Sequence, residues 1–101
     1  MTTRHQRFAL RDVTFDGMEM PGATVDRWQQ GTDGVRWSAR LVTRKGPAAD
    51  EGELAGRTID GRLVSGHAVV ADRQAGASGR SEVLVVFHGS GDLQGLDDPP
   101  S

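Results

Sequence analysis

The sequence predicts an all-β domain, a single small antiparallel barrel or sandwich of six to seven short strands joined by hairpins. Three observations carry this expectation. Glycine supplies 14 of 101 residues, against a usual share of about 7%, and so many glycines argue for many tight turns. Asp-Gly recurs at 16–17, 33–34 and 60–61, each time between apolar stretches, as hairpins require. Turn signals return at intervals of roughly ten residues with no helical period between them, the spacing of a barrel or sandwich.

The most apolar stretch is Val83-Leu84-Val85-Val86-Phe87. A run that short, bounded by Ser and Gly, reads as a central strand covered on both faces. At the two ends of the chain, residues 1–6 and 97–101 are polar and expected to be flexible. Phe8 and Leu10 share one parity, Val13 and Phe15 the other. One extra residue near Arg11-Asp12 brings all four onto one face, so a bulge is expected there. Asp16-Gly17 suits a type I′ turn.

Residues 23–30 and 35–44 flank Gly31-Thr32-Asp33-Gly34. Val35, Trp37, Ala39 and Leu41 alternate with Arg36, Ser38 and Arg40, which predicts one apolar face and one arginine face. A two- or four-residue loop sets Trp28 beside Trp37 on the buried face, with Asp26 on that same face, and lets Arg27 join the arginines. A three-residue loop sets Trp28 among the arginines instead. The first is expected because it buries both indoles.

Residues 45–52 read as a loop with room for one helical turn over 48–51. Residues 53–59 and 62–72 form a second hairpin about Asp60-Gly61, and a two-residue turn there pairs Thr58 with Leu63 and Leu54 with His67. Leu63-Val64 and Val69-Val70 place apolar groups on both parities, which predicts either cover on both sides or membership of a small closed barrel. Residues 73–80 read as a Gly-rich loop. Leu93 and Leu96 are expected to dock on the core.

Composition bounds function by exclusion. With no cysteine, a disulfide framework, a zinc–thiolate site and a catalytic thiol are all excluded. The net charge of −2 gives no overall basic field and argues against nucleic acid. No apolar stretch approaches the roughly 18 residues of a membrane helix, and MTTRHQRFAL lacks a signal-peptide core. A cytoplasmic protein without membrane contact is expected. No Gly-rich loop opens a helix to cradle phosphate, no cofactor is expected, and no carboxylate pair flanks a cleft.

His88-Gly89-Ser90-Gly91, following an apolar strand, looks like the oxyanion loop of the α/β-hydrolases. The resemblance covers four to eight residues. It implies a serine nucleophile in a G-x-S-x-G elbow, and no serine here has that context. The segment therefore reads as a turn after a strand, with His88 the last strand residue, and no enzyme is expected. His67 and His88, placed nearly opposite on neighbouring strands, are weak candidates for a metal site, although two histidines in a small sheet are usually ordinary surface groups.

The remaining candidates are binding residues. Arg36, Arg40 and Arg44 form the only local basic strip, and Trp28 and Trp37 are its nearest aromatics. The expected role is a non-enzymatic module that binds a protein partner or self-associates as a homo-oligomer through an unpaired strand edge, either at 35–44 or in the N-terminal strand. The alternative is a barrel that binds single-stranded nucleic acid or a small anionic ligand through the arginine strand. The expected burial of both indoles counts against that alternative, since it removes any stacking platform.

Overall fold

The computed structural model of the chain describes residues 3–30, 35–44, 46–47, 49–75 and 82–95. It is all strand, as the sequence predicts: β1 (Thr3–Phe15), β2 (Met18–Glu19), β3 (Ala23–Gln30), β4 (Val35–Thr43), β5 (Glu51–Arg57), β6 (Leu63–Ala75) and β7 (Val83–Gln94). The sheet order is β2-β1-β3-β4-β7-β6-β5, and β1 also pairs with β5. That last pairing closes six strands into an antiparallel barrel, with β2 as a short appendage. The architecture is therefore a barrel and not a sandwich.

The bulge in β1 is where sequence parity demands it. The register with β5 shifts between Arg11 and Thr14, and Asp12 adopts φ 52°. Leu10, Val13 and Phe15 consequently all face the core, with Phe8 half-buried against it. Asp16-Gly17 forms the expected two-residue turn. Phe15 pairs with Met18, and both turn residues have positive φ, 52° and 81°, as type I′ requires.

The second hairpin departs from expectation by one residue. Arg57 pairs with Leu63 and Leu54 with Gly66, so Thr58 does not pair with Leu63, nor Leu54 with His67. Thr58 N–H donates to the Arg62 carbonyl at 2.9 Å. Only Gly61 has positive φ, at 85°. Asp60 does not supply the second left-handed residue of a type I′ turn, so the loop holds an odd number of residues.

The barrel interior is filled by Leu10, Val13, Phe15, Val25, Trp37, Ala39, Leu41, Leu54, Val64, Ala68, Val85, Phe87 and Leu93. Phe15 and Phe87 meet at 4.8 Å between ring centroids. Leu93 docks as expected, while Leu96 lies outside the described residues. Of the two expectations for β6, the closed barrel is the one realised: Leu63 and Val69 are exposed, because a single-walled barrel buries only one face of each strand. For the same reason Leu84 and Val86 are only half-buried.

Strand β7 does not stop at His88. It continues through Gly89-Ser90-Gly91 to Gln94. A Cβ on Gly89 would lie 2.0 Å from the Trp37 indole, and one on Gly66 would lie 2.9 Å from it. These two glycines form a slot for the ring, and the indole N–H donates to the Gly91 carbonyl at 3.0 Å. The Gly-Ser-Gly segment is thus strand and not a turn, with Gly89 kept bare for a tryptophan.

Strand β6 likewise runs on to Ala75, past the predicted loop start, and β1 begins at Thr3, inside the segment expected to be flexible. Residues 76–81 and 97–101 lie outside the described residues. The link from β4 to β5 shows no helical turn among its described residues.

Candidate functional site

The register of the β3–β4 hairpin decides what each face presents. Arg27 pairs with Trp37 and Trp28 with Arg36, so the connection is odd-numbered. Trp28 does not share the buried face with Trp37. It stands on the outer wall among the arginines. Arg27, expected on that wall, points into the barrel.

Room inside explains the exchange. The two interior glycines accommodate one indole, and Trp37 occupies the slot. Arg27 instead finds polar partners within the barrel. Its Nε and Nη2 donate to the two Asp92 carboxylate oxygens at 3.2 Å each, and its Nη1 donates to Gln6 Oε1 at 3.0 Å. No buried side-chain nitrogen or oxygen among the described residues lacks a partner.

The outer wall of β1, β3 and β4 is read directly from the register. His5 on β1 opposes Trp28 on β3, and Trp28 opposes Arg36 on β4. One level along the barrel, Arg7, Asp26 and Ser38 form the next row. A level further stand Ala9, Thr24 and Arg40.

The His5 ring stacks on Trp28 with centroids 5.2 Å apart and planes 11° from parallel. Trp28 remains 36% exposed. Arg36 is exposed and makes no ion pair among the described residues. Arg44, also exposed, lies just beyond the far end of β4.

Asp26 organises the wall. Expected on the buried face beside Trp28, it points outward yet is only 4% exposed, covered by the cations around it. Its Oδ1 receives Arg7 Nε at 2.8 Å and lies 2.8 Å from His5 Nε2, while Oδ2 sits 3.5 Å from Arg40 Nη2. Burial pushes the carboxyl pKa up, but the hydrogen bonds and charges of Arg7 and His5 outweigh it, and the group is held below its usual value. Asp26 therefore stays ionised and fixes His5, Arg7 and Arg40 while leaving much of each in solvent. The wall carries three arginines against one carboxylate, a local excess of positive charge on a chain of net charge −2.

No protein-family model, curated protein or solved structure matches the chain.

Above the Asp26 row the outer surface dips into an open depression of about 420 Å³ lined by Gly22, Thr24, Arg40, Leu41, Val42 and Leu84. The histidine pair lies elsewhere. His67 opposes Ser90 while His88 opposes Val69, so the two are offset by two residues, as diagonal neighbours on one face. His67 Nε2 lies 3.1 Å from Glu51 Oε2. Among the described residues no three potential ligands gather to hold a metal ion. No helix there is long and apolar enough to cross a membrane.

The structure therefore brings Arg36, Arg40 and Trp28 onto one wall and separates Trp37 from them. Sequence reading missed His5, Arg7 and Asp26 as members of the same wall. The signal that could have found them is the pairing of β1 with β3, which sets Arg7 against Asp26 and His5 against Trp28.

Closure also decides which strand edges are free. Strand β4, one proposed edge, is paired on both sides, with β3 and with β7. In β1, residues 3–10 pair with β3, while pairing with β5 involves Arg11, Thr14 and Phe15. Among the described residues no strand pairs with the second edge of residues 3–10.

Proposed function

We propose that the chain is a small non-enzymatic β-barrel that binds single-stranded nucleic acid across the outer wall of β1, β3 and β4. The observation that carries this reading is the position of Trp28: half-exposed, stacked on His5, and flanked by Arg36 on the neighbouring strand. Aromatic faces accept bases of any sequence, and arginines beside them hold the phosphates. The combination of exposed ring and cations on one barrel wall is the usual equipment of a sequence-tolerant single-strand site. Asp26 supports the reading because it pre-positions the cations, so less side-chain freedom is lost on binding.

The test is fluorescence anisotropy of a labelled single-stranded oligonucleotide at low and raised salt. Binding is expected, weakening as salt rises. Trp28→Ala should cost about 1–3 kcal/mol, the usual worth of one base–aromatic contact. Arg36→Gln should reduce the salt slope by about one. Absence of binding by the unaltered chain at low salt would overturn the proposal.

A second reading is favoured by one separate observation, the unpaired edge of residues 3–10. Such an edge offers main-chain hydrogen bonds to an extended peptide or to a second copy of the chain. Sedimentation velocity distinguishes it: a dimer, or a complex with a protein partner, that is indifferent to oligonucleotide would favour the edge over the wall.

A further inference from the structure

We infer that the depression beside Arg40 is a second nucleobase subsite, so that a bound strand runs along β4 from Trp28 to the Val42–Leu84 pair. This rests on the reading of the outer wall as a single-strand site and adds the path and extent of the ligand.

The depression and Trp28 share one wall. Trp28 stands level with Arg36, and Thr24 level with Arg40. Six residues of strand separate the Arg36 level from the Val42 level, about 20 Å at ~3.3 Å per residue. Between them lie Asp26 and Ser38, with Arg7 and Arg40 held by the Asp26 carboxylate. Val42 pairs with Leu84 across β4 and β7, so the row above Arg40 is apolar on the outside of the barrel.

The chemistry of the depression repeats that of the Trp28 level in another form. Val42 is 47% exposed and Leu84 half-buried, and together they offer an apolar floor to the face of a ring. Thr24 contributes a hydroxyl at one side, able to donate to or accept from a base edge. Arg40, about half exposed, stands where a phosphate preceding that base would lie. Gly22 leaves one rim bare. A volume of about 420 Å³ lies within the ~300–1,000 Å³ typical of small-molecule sites.

Two ring-accepting points joined by arginines favour a polymer over a mononucleotide. A mononucleotide engages one point at a time. A strand long enough to span both gains the second contact intramolecularly, at an effective concentration set by the linking backbone.

The test is competition anisotropy with unlabelled oligothymidylates from two to about twelve nucleotides, a range that brackets known site sizes per small barrel. For the unaltered chain, affinity should rise steeply once the oligonucleotide spans both points and then level off. Val42→Gln and Leu84→Gln each remove apolar floor without adding charge, and circular dichroism and the denaturation midpoint check that each folds. They should leave the shortest ligands unaffected and weaken those beyond the step by about tenfold.

If both folded variants bind every length as the unaltered chain does, while Trp28→Ala weakens every length, the subsite is wrong and the single-strand reading stands. If the variants weaken the shortest ligands as much as the longest, the depression is not a separate subsite. If the unaltered chain binds no oligonucleotide, both inferences fall together.

Discussion

At the scale of single residues, Gly89 shows how a side chain that is absent can determine one that is present. Trp37 lies against the bare backbone of Gly66 and Gly89, close enough that a methyl group at position 89 would overlap the indole. Gly89→Ala should therefore destabilise the barrel by about 1–3 kcal/mol, the usual range for overpacking, and by more if the indole loses its bond to Gly91. A denaturant melt followed by circular dichroism checks this; an unchanged midpoint would mean that the slot relaxes freely. Gly91→Ala is the informative control. No neighbour lies within reach of a Cβ there, but its φ of 83° predicts a loss from backbone strain alone.

At the scale of elements, the strands were legible and their registers were not. Apolar alternation exposed β4, the mismatched parity of Phe8-Leu10 and Val13-Phe15 exposed the bulge, and Asp16-Gly17 exposed its turn. The odd connections of the other two hairpins were hidden, because Asp-Gly serves both type I′ turns and longer loops that need one left-handed residue. A one-residue change of register moves every side chain to the other face. That single ambiguity reversed the faces of Trp28 and Arg27 and hid the exposed indole, which the sequence reading buries. Gly89 misled for a related reason: a glycine bared for an indole resembles a glycine at a turn.

The same register places Arg27 where it ties elements together. Beyond the Ser38–His88 pair, no further pairing joins β4 to β7 among the described residues, and at that end of the barrel Arg27 on β3 links Asp92 on β7 to Gln6 on β1. Asp92→Ala would leave a nearly buried guanidinium with Gln6 as its remaining partner. The expected cost is about 1–3 kcal/mol, that of a buried donor left without its acceptor. Amide exchange should locate the loss in β3 and the C-terminal half of β7. Uniform loss of protection across all strands would contradict a local tie.

At the scale of the whole molecule, the Asp26 cluster links stability to pH. The folded carboxyl titrates below its unfolded value, so its contribution is fully present above about pH 3.9, the ordinary aspartate value. It is lost as pH falls through the lowered folded value. Asp26→Asn should be less stable than the unaltered chain at neutral pH by about 1–3 kcal/mol, and the two should converge as pH falls below 4. A constant gap across that window would show that Asp26 acts by shape and not by charge. The cluster also explains how a chain of net charge −2 can present a cationic wall: the sign of the total says little about the arrangement of its parts.

The unequal fates of the two tryptophans have a practical side. One indole is sealed within the barrel, its N–H bound to a carbonyl, and emits from a dry, rigid setting as long as the chain is folded. The other lies at the surface against an imidazole, open to collisional quenchers and to any ring laid on it. Light emitted by this chain thus has two origins in one spectrum. The quencher-resistant part reports whether the barrel is intact, and the quencher-sensitive part reports whether its outer wall is occupied, with no label attached.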